Sequence, residues 1–153
     1  MSMSVESIVI ATDLNKTFKA EQKGLDDVQA LQGINMQIKT GQLTALVGPD
    51  GAGKTTFLRL IAGLYKPTAG SLEVLGMDVA KDPQSVQDRI SYMPQKFGLY
   101  EDLSIQENLD LYADLHGVPM NVRKERFARL LKITDLARFT ERPAGKLSGG
   151  MKQ

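Results

Sequence analysis

The sequence predicts an α/β fold, with a β-rich core over residues 1–95 and a helical subdomain over residues 96–153. Three observations lead there. Ile34, Met36 and Ile38 alternate with polar residues, as in a strand with one buried face. An apolar run, Leu43 to Val47, leads through a glycine-rich stretch into a helical pattern. From Ser104 onward, apolar residues recur at helical spacing.

Each element has its own warrant. Ser7 to Thr12 is a short β-rich run, and Lys19 to Asp27 is a polar loop. Ile34 to Ile38 forms the next strand and Thr40-Gly41 its turn. Leu43 to Val47 reads as a strand buried on both faces. Lys54 to Leu64 reads as a helix that turns Leu58, Ile61 and Ala62 to one side. Ser71 to Leu75 and Arg89 to Met93 are further strand candidates. Between them, Asp82-Pro83 is an N-cap followed by proline at the first helical position. Ser104-Ile105-Gln106-Glu107 is a capping box, followed by Ile105, Leu109 and Tyr112 on one side and by Leu111 and Leu115. A second helix is expected over Val122 to Ile133, with Phe127, Leu130 and Leu131 facing inward.

Composition narrows the function classes. A length of 153 residues suits one ordinary domain. Nineteen basic and eighteen acidic residues leave a net charge of +1, so no basic excess points to nucleic acid. The absence of cysteine excludes disulfides, thiolate metal sites and thiol nucleophiles. No run approaches the roughly eighteen apolar residues of a membrane span. Met1 to Ile10 carries Glu6 and no basic residue, unlike a secretory leader, so a cytoplasmic chain is expected.

The chemistry concentrates at Gly48-Pro49-Asp50-Gly51-Ala52-Gly53-Lys54-Thr55, which fits G-x-x-x-x-G-K followed by Ser or Thr. Glycines let the backbone curl so that several N–H groups point at phosphate oxygens. The helix N-terminus adds a positive dipole where the anion sits. Lys54 is placed to reach the β- and γ-phosphates, and Thr55 to offer a hydroxyl to Mg²⁺. With Thr56, these residues form the expected nucleoside-triphosphate site, and the loop alone does not separate transport ATPases from kinases, GTPases or motor proteins. Asp50 reads as a solvated loop tip, because a carboxylate beside a triphosphate is repulsive.

Leu147-Ser148-Gly149-Gly150-Met151-Lys152-Gln153 resembles the LSGGQ signature of ATP-binding-cassette (ABC) ATPases. Tyr92-Met93-Pro94-Gln95 looks like the family's Q-loop, and Phe18 falls where the family places an aromatic that stacks on adenine. The resemblance spans essentially the whole chain and implies a P-loop NTPase of ABC type. The stretch from Tyr92, including Phe97 to Leu103, looks most like the ATPase subunits of ABC-2-type drug exporters.

The resemblance implies ATP and Mg²⁺ as ligands. Lys54 and Gln95 would be catalytic, with Thr55 and Gln95 toward the metal. Leu147, Ser148, Gly149 and Gly150 would face ATP held by a second nucleotide-binding domain. A transmembrane permease would be the other partner, contacted through roughly Lys96 to Leu115, and would hold the chain at the inner face of the membrane. A non-transport ABC ATPase in translation or DNA repair is the alternative, but it usually carries basic extensions or coiled-coil insertions. In the family, the Walker B strand, the D-loop and a switch histidine follow the signature. None falls within residues 1–153, so the chain alone is expected to lack hydrolysis and to leave Leu43 to Val47 without neighbouring strands. His116 lies too early to be that switch and reads as a helix-surface residue.

Overall fold

A computed structural model describes residues 7–152 apart from Glu21, Lys23 and Phe97. Of the sequence expectations, those on Met1 to Glu6, Phe97 and Gln153 lie outside the described residues. The chain divides into two compact units, one ending at Tyr92 and one starting at Met93.

The first unit is built on a four-stranded antiparallel sheet in the order β2-β1-β3-β4, from β1 (Ser7–Phe18), β2 (Val28–Lys39), β3 (Ala69–Val74) and β4 (Met77–Asp78). β1 and β2 run further than the alternation predicts. A double bulge explains why. Asp13 and Gly33 both take left-handed backbone, with φ of 46° and 56°, and the ladder shifts register between Ala11 and Leu14. Leu31 and Ile34 both turn toward the core although they are three apart, so the period-2 pattern is legible only from Ile34 onward. Asn15 and Asn35 stitch the bulge: Gly33 N–H donates to Asn15 Oδ1, and Asp13 N–H to Asn35 Oδ1, both at 3.0 Å. Gly70, with φ of 75°, passes so close to the Asp13 carbonyl that no side chain fits there.

Helix α1 (Lys54–Ile61) packs against β2 and β3. Leu14, Leu60, Leu72, Val79 and Val86 are fully buried in the core between them. Burial of side chains of this size contributes about 1.5–3 kcal/mol each. The face of α1 differs in part from expectation. Phe57, Leu60 and Ala62 point inward and Ile61 is half-buried, but Leu58 is 45% exposed. The sheet lies under the 57–60–61 stripe, and Leu58 is rotated away from it.

Helix α2 (Pro83–Gln87) begins as predicted: Asp82 Oδ1 accepts from the Ser85 N–H at 3.1 Å, with Pro83 at the first position. Two predicted strands are not formed. Leu43 to Val47 and Arg89 to Met93 have no strand pairing among the described residues. A strand exists only with a partner ladder, whatever its side chains prefer. Leu43 and Val47 accordingly stand fully exposed, at 103% and 94%, while Leu46 and Ile90 pack partly on the core.

The second unit is helical: α3 (Ile105–Leu115), α4 (Met120–Ile133), two short 3₁₀ turns at Ala137–Phe139 and Ala144–Lys146, and α5 (Gly149–Lys152). The capping box is formed, with Glu107 N–H donating to Ser104 Oγ at 3.1 Å and Ser104 N–H to Glu107 Oε2 at 2.7 Å. Ile105, Leu131, Ala144 and Leu147 make the core, with Leu109 and Phe127 packed against it. Leu130 and Leu115, expected on apolar faces, are 48% and 66% exposed. His116 caps the C-terminus of α3 on the surface. No helix among the described residues is long and apolar enough to cross a membrane.

Candidate functional site

The glycine-rich loop leads directly into α1. Gly51 and Gly53 take left-handed backbone, with φ of 81° and 83°. Gly53 is the N-cap of α1 and turns the chain into the helix. It also lies against β2: an added Cβ would meet the Ala30 carbonyl oxygen at 2.5 Å and Leu31 Cδ2 at 2.7 Å. At Gly51 an added Cβ would meet nothing within 4 Å, so that side of the loop is open.

Lys54, the first helical residue, folds back along the loop. Its Nζ donates to the carbonyl oxygens of Gly48 and Pro49, each at 2.7 Å. The loop thus holds an ammonium group at a helix N-terminus that carries no acidic residue in its first turn. Ammonium, helix dipole and backbone N–H groups all favour an anion at this place. Thr55 is exposed and Thr56 half-buried, and Asp50 sits exposed on the turn at the loop tip.

Phe18 is the last residue of β1 and is partly exposed. It pairs with Val28 at the start of β2. Ala30, the residue under Gly53, is two positions further along the same strand, or roughly 7 Å at the usual rise. The antiparallel pairing of β1 and β2 therefore brings Phe18 and the Gly48–Thr55 loop to the same end of the sheet.

Several residues around Phe18 carry weight that the sequence did not reveal. The Phe18 and Tyr65 rings meet edge to face, with centroids 5.3 Å apart and planes at 75°. Arg59 of α1 donates from Nη1 to the Tyr65 hydroxyl at 3.1 Å. The side chains of Tyr92 and Tyr65 hydrogen-bond its guanidinium and push its pKa further up. Only the coordinates could reveal this cluster, because its members are spread over residues 16 to 92.

Gln95 and the Leu147–Gly150 motif belong to the second unit. Gln95 is exposed on an irregular segment. Leu147 is 7% exposed and anchors its motif in the helical core. Ser148 stands before α5, where its carbonyl accepts from the N–H groups of Met151 and Lys152 at 3.0 and 3.1 Å. Gly149 and Gly150 open α5 with no atom within 4 Å of where a Cβ would stand. Packing therefore does not require glycine there, and the backbone is accessible to a close approach.

Two further residues hold this motif in place. Lys152 Nζ pairs with Glu101 Oε1 at 2.8 Å, and the lysine holds the Glu101 carboxyl below its usual range. Glu101 lies on a loop fixed by the buried Asn108. That side chain accepts from the Tyr100 N–H at 2.9 Å and donates to the carbonyls of Tyr100, Leu103 and Ser104. A capping-box position is easy to read from sequence; a buried asparagine one residue later in the same helix is not.

Comparison with known proteins bears on the family of the chain. Residues 31–153 match the family model described as ABC transporter. The probable multidrug ABC transporter ATP-binding protein YbhF of Escherichia coli (strain K12) is 50% identical over 148 residues, 97% of this chain and 25% of that protein. The Fe(3+) ions import ATP-binding protein FbpC of Mannheimia succiniciproducens is 34% identical over 100% of this chain and 41% of its own length. Among solved structures, a dimeric post-hydrolysis state of the ATP-binding cassette MJ0796 bound to ADP and Pi aligns with a TM-score of 0.80. Its identity is 28%, over 94% of this chain and 65% of the cassette chain. The chain thus spans about a quarter of the length of YbhF and under two thirds of that cassette.

Proposed function

This chain belongs to the ABC transporter family, and on that premise we propose that it binds ATP as the magnesium complex and, in the intact protein, takes part in hydrolysing it to drive a membrane permease. One observation carries the reading: Lys54 Nζ held at 2.7 Å by the loop carbonyls of Gly48 and Pro49, at the N-terminus of α1. A cation fixed inside an open curl of backbone is matched to a polyphosphate.

The residues present fit that ligand. Backbone N–H groups from Gly48 to Thr56 would hold the phosphates, Lys54 would neutralise the β- and γ-oxygens, and Phe18 would stack on adenine. Asp50, exposed at the tip, would stay clear of the phosphates. Among the described residues there is no group of three acidic or histidine side chains to bind a metal unaided. The magnesium ion would come in with the triphosphate and be met by the Thr55 hydroxyl. Magnesium ATP supplies a γ-phosphoryl group open to attack by water. Charge then builds on the phosphoryl oxygens, and Lys54 with the loop N–H groups is pre-placed to stabilise it.

Leu147, Ser148, Gly149 and Gly150 would present open backbone to ATP bound by a second nucleotide-binding domain. The dimeric MJ0796 cassette supports a partner of that kind. The segment after Gln95, roughly Lys96 to Leu115, is the proposed surface toward the permease, which would keep the protein at the cytoplasmic face of a membrane. Export of small molecules is the direction we infer. The 50% identity to a protein named for multidrug transport supports it. At 34% identity the relatives include both an iron-import and a daunorubicin-resistance protein, so the higher identity carries the choice.

Calorimetry with Lys54→Ala tests the nucleotide reading in the intact protein: ATP affinity should be lost, and an unchanged affinity would sink it. Direction is tested in cells with the same variant. Drug accumulation should rise, and a level equal to wild type would remove the export reading.

A further inference from the structure

A phenylalanine at a stacking position has a weakness that a tyrosine lacks. It has no hydroxyl, so only its neighbours can set the ring's orientation. Phe18 has two such neighbours. Tyr65 meets it edge to face at 5.3 Å between centroids, and the Lys16 ammonium stands 5.0 Å from its centroid and 5.5 Å from that of Tyr65. Both contacts are attractive through the ring quadrupole.

Tyr65 is itself tied at both ends. Its hydroxyl accepts from Arg59 at 3.1 Å, and its N–H donates to the Arg59 carbonyl at 3.3 Å. Arg59 sits on α1, whose first residue is Lys54. The segment after Tyr65 is in turn sewn to the end of β1. Lys16 Nζ donates to the Lys66 carbonyl at 2.9 Å, Thr68 N–H to the Asn15 carbonyl at 2.9 Å, and Thr17 N–H to Thr68 Oγ1 at 3.1 Å. One rigid element thus carries both the phosphate-binding lysine and the brace of the aromatic ring.

We propose that Tyr65, braced by Arg59, is a positioning residue for base recognition: it holds the Phe18 ring at a fixed angle relative to the Lys54 end of α1. This rests on the reading of Phe18 as the adenine-stacking residue. Tyr65 touches no phosphate in this account, so its removal should be felt only by ligands that carry a base.

The test is calorimetry on the intact protein with two probes in magnesium buffer, ATP and inorganic tripolyphosphate. Phe18→Ala should weaken ATP and leave tripolyphosphate unchanged. If ATP affinity is unchanged there, the stacking reading fails and the proposal falls with it. Tyr65→Leu should weaken ATP about 2- to 10-fold, the scale of one aromatic pair, without moving tripolyphosphate. Tyr65→Phe keeps the ring but loses the hydrogen bond from Arg59, so it should show an ATP-selective loss smaller than that of Tyr65→Leu. An ATP loss in Phe18→Ala with none in Tyr65→Leu would overturn the proposal and leave the stacking reading standing. Equal loss of both probes in Tyr65→Leu would also overturn it, as a general disturbance of the loop. Should Tyr65→Leu fail to fold, Arg59→Met gives the same two-probe comparison, in which an ATP-selective loss supports the brace and any other result overturns it.

Discussion

A Cβ at Gly53 would stand 2.5 Å from the carbonyl oxygen of Ala30, so the phosphate loop crosses β2 with no room for a side chain. Gly53 is also left-handed, with φ of 83°. Gly53→Ala therefore faces two costs, a strained backbone of about 1–3 kcal/mol and a clash that must push the loop off the strand. Gly51 is left-handed too, but open to space, and Gly51→Ala should cost only that same backbone share of about 1–3 kcal/mol. Urea denaturation of the two variants checks this. Equal losses would show that the contact with Ala30 decides nothing.

Lys54 makes its hydrogen bonds to loop carbonyls rather than to the core. Lys54→Met should leave the stability of the unliganded protein within about 0.5 kcal/mol, as for a surface change. It should abolish the rise in Tm that ATP produces by binding only the folded state. Thermal melts with and without ATP read both quantities.

The capping box on α3 makes a pH prediction. The Ser104 N–H, donating at 2.7 Å, holds the Glu107 carboxyl below its usual range. A depressed acid contributes stability above its unfolded pKa, near 4.3, and loses it as pH falls through the lower folded value. The Tm gap between wild type and Glu107→Gln should be widest near neutrality and should close below about pH 4. Ser104→Ala, which removes the reciprocal acceptor, should cost about 1 kcal/mol at neutral pH. A gap that widens in acid would contradict the assignment.

Glu101, three residues before the Ser104 cap, holds helix α5 through Lys152. In Glu101→Gln the ammonium of a side chain only 11% exposed loses its carboxylate. Amide hydrogen exchange should speed up at Gly149 to Lys152, while α4 keeps its protection. Exchange unchanged at α5 would mean that the packing of Leu147 and Met151 on the helical core holds the motif without the ion pair.

Legibility followed the range of the interaction. Both helix starts were readable at Asp82 and Ser104, because a cap is made within four residues. The Gly48–Thr55 loop was equally plain, since its glycines, lysine and threonine are contiguous. Strand ends were not. The β1–β2 bulge depends on Asp13, Asn15, Gly33 and Asn35 meeting across two strands. Leu43 to Val47 has the composition of a buried strand, yet no described neighbour pairs with it. Leu58 was misplaced because the facing sheet, not the helix period alone, selects the buried stripe.

By itself, then, the sequence determined a local pattern, a glycine-rich loop with a lysine from Gly48 to Thr55 that suits a phosphate, and through the family resemblance it offered Phe18, Gln95 and Leu147 to Gly150 as candidate site residues. The loop rests on short-range backbone geometry that residue type dictates, and the other three rest on the resemblance. The tertiary structure alone decided what surrounds those groups. It put Tyr65, Arg59 and Lys16 around Phe18, Ala30 under Gly53, and Glu101 against Lys152 of α5. The physical reason is common to all three. The contacts of Phe18 with Tyr65, Gly53 with Ala30 and Glu101 with Lys152 join residues far apart in the chain, and only the packing of the sheet and helix faces brings them within reach.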